Sequence, residues 1–182
     1  YRSFERGNSS SYLQHIPTGS RQLIAAPQRG LPGEPAWSPD GSKLAVALSY
    51  VGNLELFSLD VASRHETRLT NNLAIDTEPV WAPDGQSIYF TSDRAGEPQI
   101  YRIGATPGSS TQRITFTDEY NAGPHVSPDG KLLAMVTRDD SGGYRIGLQN
   151  LATGDFRVLT HGRLDQSPSF APNSATIMYA ER

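Results

Sequence analysis

The chain has 182 residues, a formal net charge of −3 and 19% charged residues. That balance argues against a general nucleic-acid binder, which carries a basic face. The absence of cysteine excludes disulfides, thiolate metal sites and thiol nucleophiles. Seventeen glycines and 13 prolines, well above an average share, announce many turns. No run of about 18 apolar residues exists, so no membrane span is expected. Tyr1 opens a polar segment, and no secretory leader is visible.

The chain is built on a repeat. Four blocks align: Glu34-Pro-Ala-Trp-Ser-Pro-Asp-Gly-Ser-Lys-Leu-Ala-Val46, Glu78-Pro-Val-Trp-Ala-Pro-Asp-Gly-Gln-Ser-Ile-Tyr-Phe90, Gly123-Pro-His-Val-Ser-Pro-Asp-Gly-Lys-Leu-Leu-Ala-Met135 and Ser167-Pro-Ser-Phe-Ala-Pro-Asn-Ser-Ala-Thr-Ile-Met-Tyr179. Their turn prolines, Pro39, Pro83, Pro128 and Pro172, are spaced 44, 45 and 44. Ile24, Leu69, Ile114 and Leu159 recur at 45. Two landmarks at one period predict an all-β protein, a β-propeller of four-stranded antiparallel blades.

In chain order, the pattern predicts a partial blade over 1–26, blades over 34–70, 78–115 and 123–160, and a partial blade over 166–182. That is about four blades' worth. Within each unit a short strand a ends at Trp37, Trp81, Val126 or Phe170. The Ser/Ala-Pro-Asp-Gly turn follows, its proline and glycine presetting the backbone. Strand b (Leu44–Leu48, Ile88–Thr91, Leu132–Thr137, Thr176–Ala180) is apolar on both faces, as a strand packed between two blades must be. Strand c covers Tyr12–Ile16, Leu54–Leu59, Gln99–Ile103 and Tyr144–Gln149. The more polar strand d covers Gln22–Ala25, Thr67–Thr70, Gln112–Thr115 and Arg157–Thr160, at the outer edge. Tyr1–Phe4 reads as part of a strand b. The N-terminal c–d pair can complete the C-terminal a–b pair and close a four-bladed ring. A chain starting mid-strand argues instead for an arc of a larger ring.

No catalytic signature stands out. G-x-S-x-G, H-E-x-x-H and phosphate-binding glycine loops are absent. His65-Glu66 reads as a solvated turn, and Asn8-Ser-Ser matters only in a eukaryotic secretory pathway. His125 takes a strand-a place where other units carry Ala36, Val80 or Ser169. It is either a channel-facing ligand site or a packed histidine. Asp40, Asp84 and Asp129 read as turn caps, and Trp37 and Trp81 as blade-packing residues.

The d–a loops, expected over 29–34, 71–78, 117–123 and 161–167, share one end of the blades with the b–c loops. There Leu31, Glu34, Asp76, Thr77, Glu78, Tyr120, Asn121 and Asp165 form a candidate partner-binding rim. Its excess carboxylates suit a protein rich in basic or donor groups.

The segments Leu69-Thr-Asn-Asn-Leu-Ala-Ile-Asp-Thr-Glu-Pro79, Tyr89-Phe-Thr-Ser-Asp-Arg-Ala-Gly96, Gln99-Ile-Tyr-Arg and Gln112-Arg-Ile-Thr resemble the TolB family of the bacterial Tol–Pal system. The resemblance runs along essentially the whole chain. It implies a six-bladed ring in the periplasm and a non-catalytic scaffold that docks the peptidoglycan-associated lipoprotein, Pal. The implied roles are outer-membrane integrity and division. Group A colicins exploit the same surface, so their translocation segments are further expected partners. Contact with TolA is expected to be lost without the family's N-terminal domain. The family's Thr-Glu docking pair is matched by Thr77 and Glu78. Its histidine and alanine in the preceding loop fall at Leu31 and Glu34, where this sequence departs. Calcium has been associated with such channels, but no residue pattern here defines a metal site and no cofactor is expected. Two other readings stay open. One is the propeller of a prolyl-oligopeptidase-type serine peptidase. The other is a ligand site at His125. Glu78→Ala is expected to weaken docking without lowering the melting temperature.

Overall fold

A computed structural model describes residues 2–3, 10–25, 35–50, 52–138 and 140–181. They form strands, turns and connections with no helix. Leu31, Glu34, Asn8 and Asp139 lie outside the described residues.

Three complete sheets follow one plan. The first orders β4 (Ala36–Trp37), β5 (Lys43–Leu48), β6 (Glu55–Asp60) and β7 (Glu66–Arg68). The second orders β8 (Asp76–Trp81), β9 (Ser87–Ser92), β10 (Gln99–Gly104) and β11 (Thr111–Arg113). The third orders β12 (Asn121–Val126), β13 (Leu132–Arg138), β14 (Tyr144–Asn150) and β15 (Phe156–Val158). Within these sheets the strands pair antiparallel with their sequence neighbours, as hairpin connections require. Before them stand β1 (Arg2–Ser3), β2 (Ser10–Gln14) and β3 (Arg21–Ala25); after them, the β16 (Gln166–Phe170) and β17 (Ile177–Ala180) hairpin.

The ring is open in this chain. β1 occupies the edge of β2 where β17 would have to pair to close four blades, and among the described residues β16 and β17 pair only with each other. The closed four-bladed alternative is thereby corrected.

Packing explains the apolar second strands. All six residues of β9 are buried, as are five of six in β5. Trp81, Ile88, Phe90, Tyr101 and Ile103 interlock with Ala45, Ala47 and Leu56 of the preceding blade. Tyr89, Ile100, Val126, Leu133 and Met135 fill the next interface. Ala134, Leu148 and Phe170 fill the one after. The cores therefore lie between sheets, and each b strand serves two of them. The exception is β17, whose Met178 is 74% exposed: no sheet among the described residues covers it.

The turns register one blade on the next. Ser38 and Ser127 hydroxyls donate to Asp40 and Asp129 at 2.6 Å, and the Gln86 amide donates to Asp84 at 2.9 Å. These aspartates are turn caps. Gly85 takes φ +69° and lies so close to Pro39 of the preceding turn that a Cβ would touch it at 3.7 Å. In the last unit Ser174 replaces that glycine and still adopts φ +58°. Its hydroxyl accepts the Asp129 amide of the preceding turn at 3.1 Å.

The two tryptophans differ, which corrects one expectation. Trp81 is 6% exposed and donates to the Ala36 carbonyl of the preceding blade at 3.2 Å. Trp37 is 49% exposed. The sheet before it has no inner strand among the described residues, so Trp37 lacks the surface that Trp81 packs against.

Candidate functional site

The inner strands are not regular. Register shifts between Thr77 and Val80, Ala122 and His125, and Gln166 and Ser169. Each shift sets two residues against one, a bulge that bends the strand and re-aims its side chains. The bulge pairs are Glu78-Pro79, Gly123-Pro124 and Ser167-Pro168. Their first members take φ +52°, +60° and +54°. Proline cannot donate to the ladder, so it tolerates the broken position. Only one of the three left-handed positions carries glycine. Glu78 and Ser167 hold a conformation that costs a non-glycine residue roughly 1–2 kcal/mol.

Glu78 is exposed yet anchored. Its Oε2 accepts the Thr91 hydroxyl at 2.7 Å and the Gly123 amide of the next blade at 2.9 Å. Its Oε1 has no hydrogen-bond partner among the described residues and remains available. The contact to Gly123 ties one bulge to the next. Removing the Glu78 side chain therefore costs structural hydrogen bonds, and the expectation of an unchanged melting temperature is revised.

The bulges line an open cleft of about 820 Å³ together with Thr77, Tyr120, His125 and Tyr144. Pro35, Pro79, Pro124 and Pro168 stand around it at spacings of 44, 45 and 44. Tyr120 meets Tyr144 edge-on, with ring centroids 5.4 Å apart. The Arg138 guanidinium lies 5.8 Å from the Tyr120 ring centre. Burial, then the nearby Glu78 charge, pushes the Tyr120 hydroxyl above its usual pKa, so it stays a neutral donor. His125 lines the cleft as well. Its Nδ1 accepts the Phe170 amide at 3.4 Å, and its ring packs 6.0 Å from that of Phe170. Burial pushes its pKa down, favouring the neutral ring. These contacts fit the packed histidine.

Three expected rim residues lie elsewhere. Asp76, Asn121 and Asp165 are each 0% exposed. Asp76 and Asn121 begin β8 and β12, Asp165 immediately precedes β16, and all three side chains are turned inward. Asp76 receives Arg94 Nη2 at 2.9 and 3.0 Å and Asn72 Nδ2 at 2.8 Å. Asn121 donates to the Thr117 carbonyl at 2.7 Å and to Gln99 at 3.2 Å. Asp165 accepts the Gly162 amide at 3.1 Å. They brace the corners from beneath.

A companion network stands beside Asp76. Glu55 accepts from the Thr70 hydroxyl at 2.6 Å, the Asn72 amide at 2.8 Å and Arg68 at 3.1 Å. Burial pushes the Glu55 carboxyl up, but these hydrogen bonds, with that of Asn53, outweigh it and hold the carboxyl low. Gln99 takes the same place in the next blade, accepting from Thr115 at 2.7 Å.

Tyr144, Gln166 and Ser167 also line the cleft, although the candidate rim does not name them and only the last two fall in an expected d–a loop. The signal for Ser167 was its place in the Glu78–Gly123–Ser167 period. Among the described residues no group of three His, Asp or Glu is placed to hold a metal ion. No helix among them is long and apolar enough to cross a membrane.

Blades packed face to face, with bulged inner strands around a shared cleft, define an arc of a β-propeller. Comparison with known proteins narrows that class. The model of the TolB beta propeller domain matches residues 1–182, and the chain belongs to that family. It is 34% identical over 183 residues to the Tol-Pal system protein TolB of Francisella tularensis subsp. mediasiatica, covering 98% of this chain and 42% of that protein. The crystal structure of TolB from Acinetobacter baumannii is 42% identical with a TM-score of 0.92, covering all of this chain and 45% of the other. A putative TolB from Agrobacterium tumefaciens is 31% identical with a TM-score of 0.76, over 86% and 58% of the two chains. The chain thus spans less than half the length of the curated relatives it matches. A puromycin hydrolase, 17% identical with a TM-score of 0.68, shares the fold alone.

Proposed function

We propose that this chain is the docking part of a non-catalytic, periplasmic Tol–Pal scaffold, and that it binds Pal at the cleft mouth. On this reading it serves outer-membrane integrity and division. Colicin translocation segments are then competitors for the same face. TolA is engaged by parts of the parent protein other than these blades. The observation that carries the reading is Glu78: exposed, strained, fixed by two hydrogen bonds through Oε2, and offering Oε1. Strain at a position that glycine would occupy without cost points to a function for the side chain. A fixed carboxylate loses little freedom when a donor meets it, so such a bond contributes about 1.5–3 kcal/mol. Thr77 and Tyr120 flank it with neutral polar groups. Asp76, Asn121 and Asp165 support this face from within. Leu31 and Glu34 stand 44 residues before Ile75 and Glu78 in the repeated sequence and belong to the same docking face on this reading.

The test is titration calorimetry of the folded chain against soluble Pal. Wild type binds, and Glu78→Gln, which keeps the acceptor geometry, binds roughly tenfold more weakly. Equal affinity for both removes Glu78 from the interface. No binding by a folded wild-type chain rejects docking by these blades.

A further inference from the structure

The segment from Asn71 to Ile75, between the first and second complete blades, is held unusually firmly for a surface loop. Asn53 Nδ2 donates to the carbonyls of Asn72 and Ala74, both at 2.8 Å. The Asn72 amide donates to buried Glu55 at 2.8 Å, and the Ala74 amide to Asn72 Oδ1 at 2.7 Å. The Ile75 amide reaches Asp93 at 2.8 Å, and the Asp76 amide the Leu54 carbonyl at 2.9 Å. At the tip of this braced loop Leu73 is 99% exposed, and Ile75 beside it is 48% exposed.

Blade architecture does not explain Leu73. Its counterpart 45 residues on is Asp118, which is exposed and polar. A leucine wholly in water on a rigid support gains nothing in the isolated chain. On binding it would bury a full side chain with almost no ordering cost. Ile75 corresponds in the repeat to Tyr120, which lines the cleft. The loop also runs straight into β8, and Glu78 lies only about 7 Å along that strand from Asp76. The loops at this end of the blades carry the exposed acids Glu78, Glu97, Asp118 and Glu119.

We propose that Leu73, supported by Ile75, is the apolar anchor of the docking face. It seats in an apolar pocket on the partner protein, bordered by cationic or N–H donor groups that meet the surrounding carboxylates. This rests on the docking reading above and adds what the partner must present. The acidic rim alone would select any basic protein; the leucine demands a matching pocket and so confers selectivity.

The experiment is calorimetry of the chain against soluble Pal, comparing wild type, Leu73→Ser and Ile16→Ser. Ile16 is 92% exposed in the c–d connection between β2 and β3, at the other end of its blade from the d–a loops. Both variants are expected to melt with the wild type, since each removes an exposed side chain. Leu73→Ser should bind at least tenfold more weakly, while Ile16→Ser binds as wild type. Wild type binding with Leu73→Ser equal to it overturns the anchor and leaves the docking reading standing. Equal losses in both variants overturn it as well, by showing a non-specific effect. A folded wild type that does not bind overturns the docking reading and the anchor with it.

Discussion

Glycine and alanine at position 78 should reverse their usual order. In an ordinary strand, glycine is less stable than alanine by roughly 0.5–1 kcal/mol, because the unfolded chain has more freedom to lose. Glu78 sits at φ +52°. Any side chain with a Cβ pays a steric cost there of roughly 1–2 kcal/mol. Both substitutions delete the same bonds to Thr91 and Gly123, so that loss cancels in the comparison. What remains favours Glu78→Gly over Glu78→Ala by about 0.5–1 kcal/mol. Gly123, at φ +60° in the next bulge, is the precedent within the chain. Urea titration of the two variants measures the difference, provided the m-values agree. For a chain of this length it corresponds to a shift of about 1–4 °C in Tm. An alanine variant as stable as the glycine variant, or more so, would refute the left-handed bulge and the argument that strain at Glu78 signals function.

Two further outcomes follow from burial and charge. Trp81→Ala should cost about 3–5 kcal/mol, whereas Trp37→Ala, at a half-exposed site, should cost less than about 1 kcal/mol; paired thermal melts that show equal losses would contradict the packing described. The Ser38 hydroxyl, then the Ser42 amide and hydroxyl, hold Asp40 down to about 2, below its ordinary 3.8. A carboxylate with a lowered folded-state pKa adds stability above its unfolded value and loses it as the solution acidifies through the folded value. Asp40→Asn should therefore show a shallower fall in stability between pH 4 and 2 than wild type, and superimposable acid profiles would exclude the cap from acid unfolding.

Much of the architecture was legible because it is local and repeated. The Pro-Asp-Gly turns need their own residues and little else, and they recur at a fixed period. The b strands are apolar on both faces because each is covered twice, so their composition betrays their position. The same logic reads Asp40, Asp84 and Asp129 as caps. The family resemblance rested on long ungapped matches, and the comparisons agree with it.

The site was less legible, because it depends on which way a strand faces and on what packs against it. Asp76, Asn121 and Asp165 read as exposed loop carboxylates and amides, yet the first two begin inner strands, the third directly precedes one, and all are buried. Glu78 looked like one more rim acid; its left-handed backbone and its bond to the next blade arise only when two bulges meet. Trp37 and Trp81 occupy closely similar sequence contexts and differ in exposure because, among the described residues, only Trp81 has an inner strand behind it. By itself, the sequence determined the period, the turns, the strand types and the family. Each of those follows from short-range chemistry or from repetition. The tertiary structure alone decided which acids are buried, which carboxylate is strained and free to bind, and which tryptophan is covered, because those depend on contacts between blades about 45 residues apart in the chain.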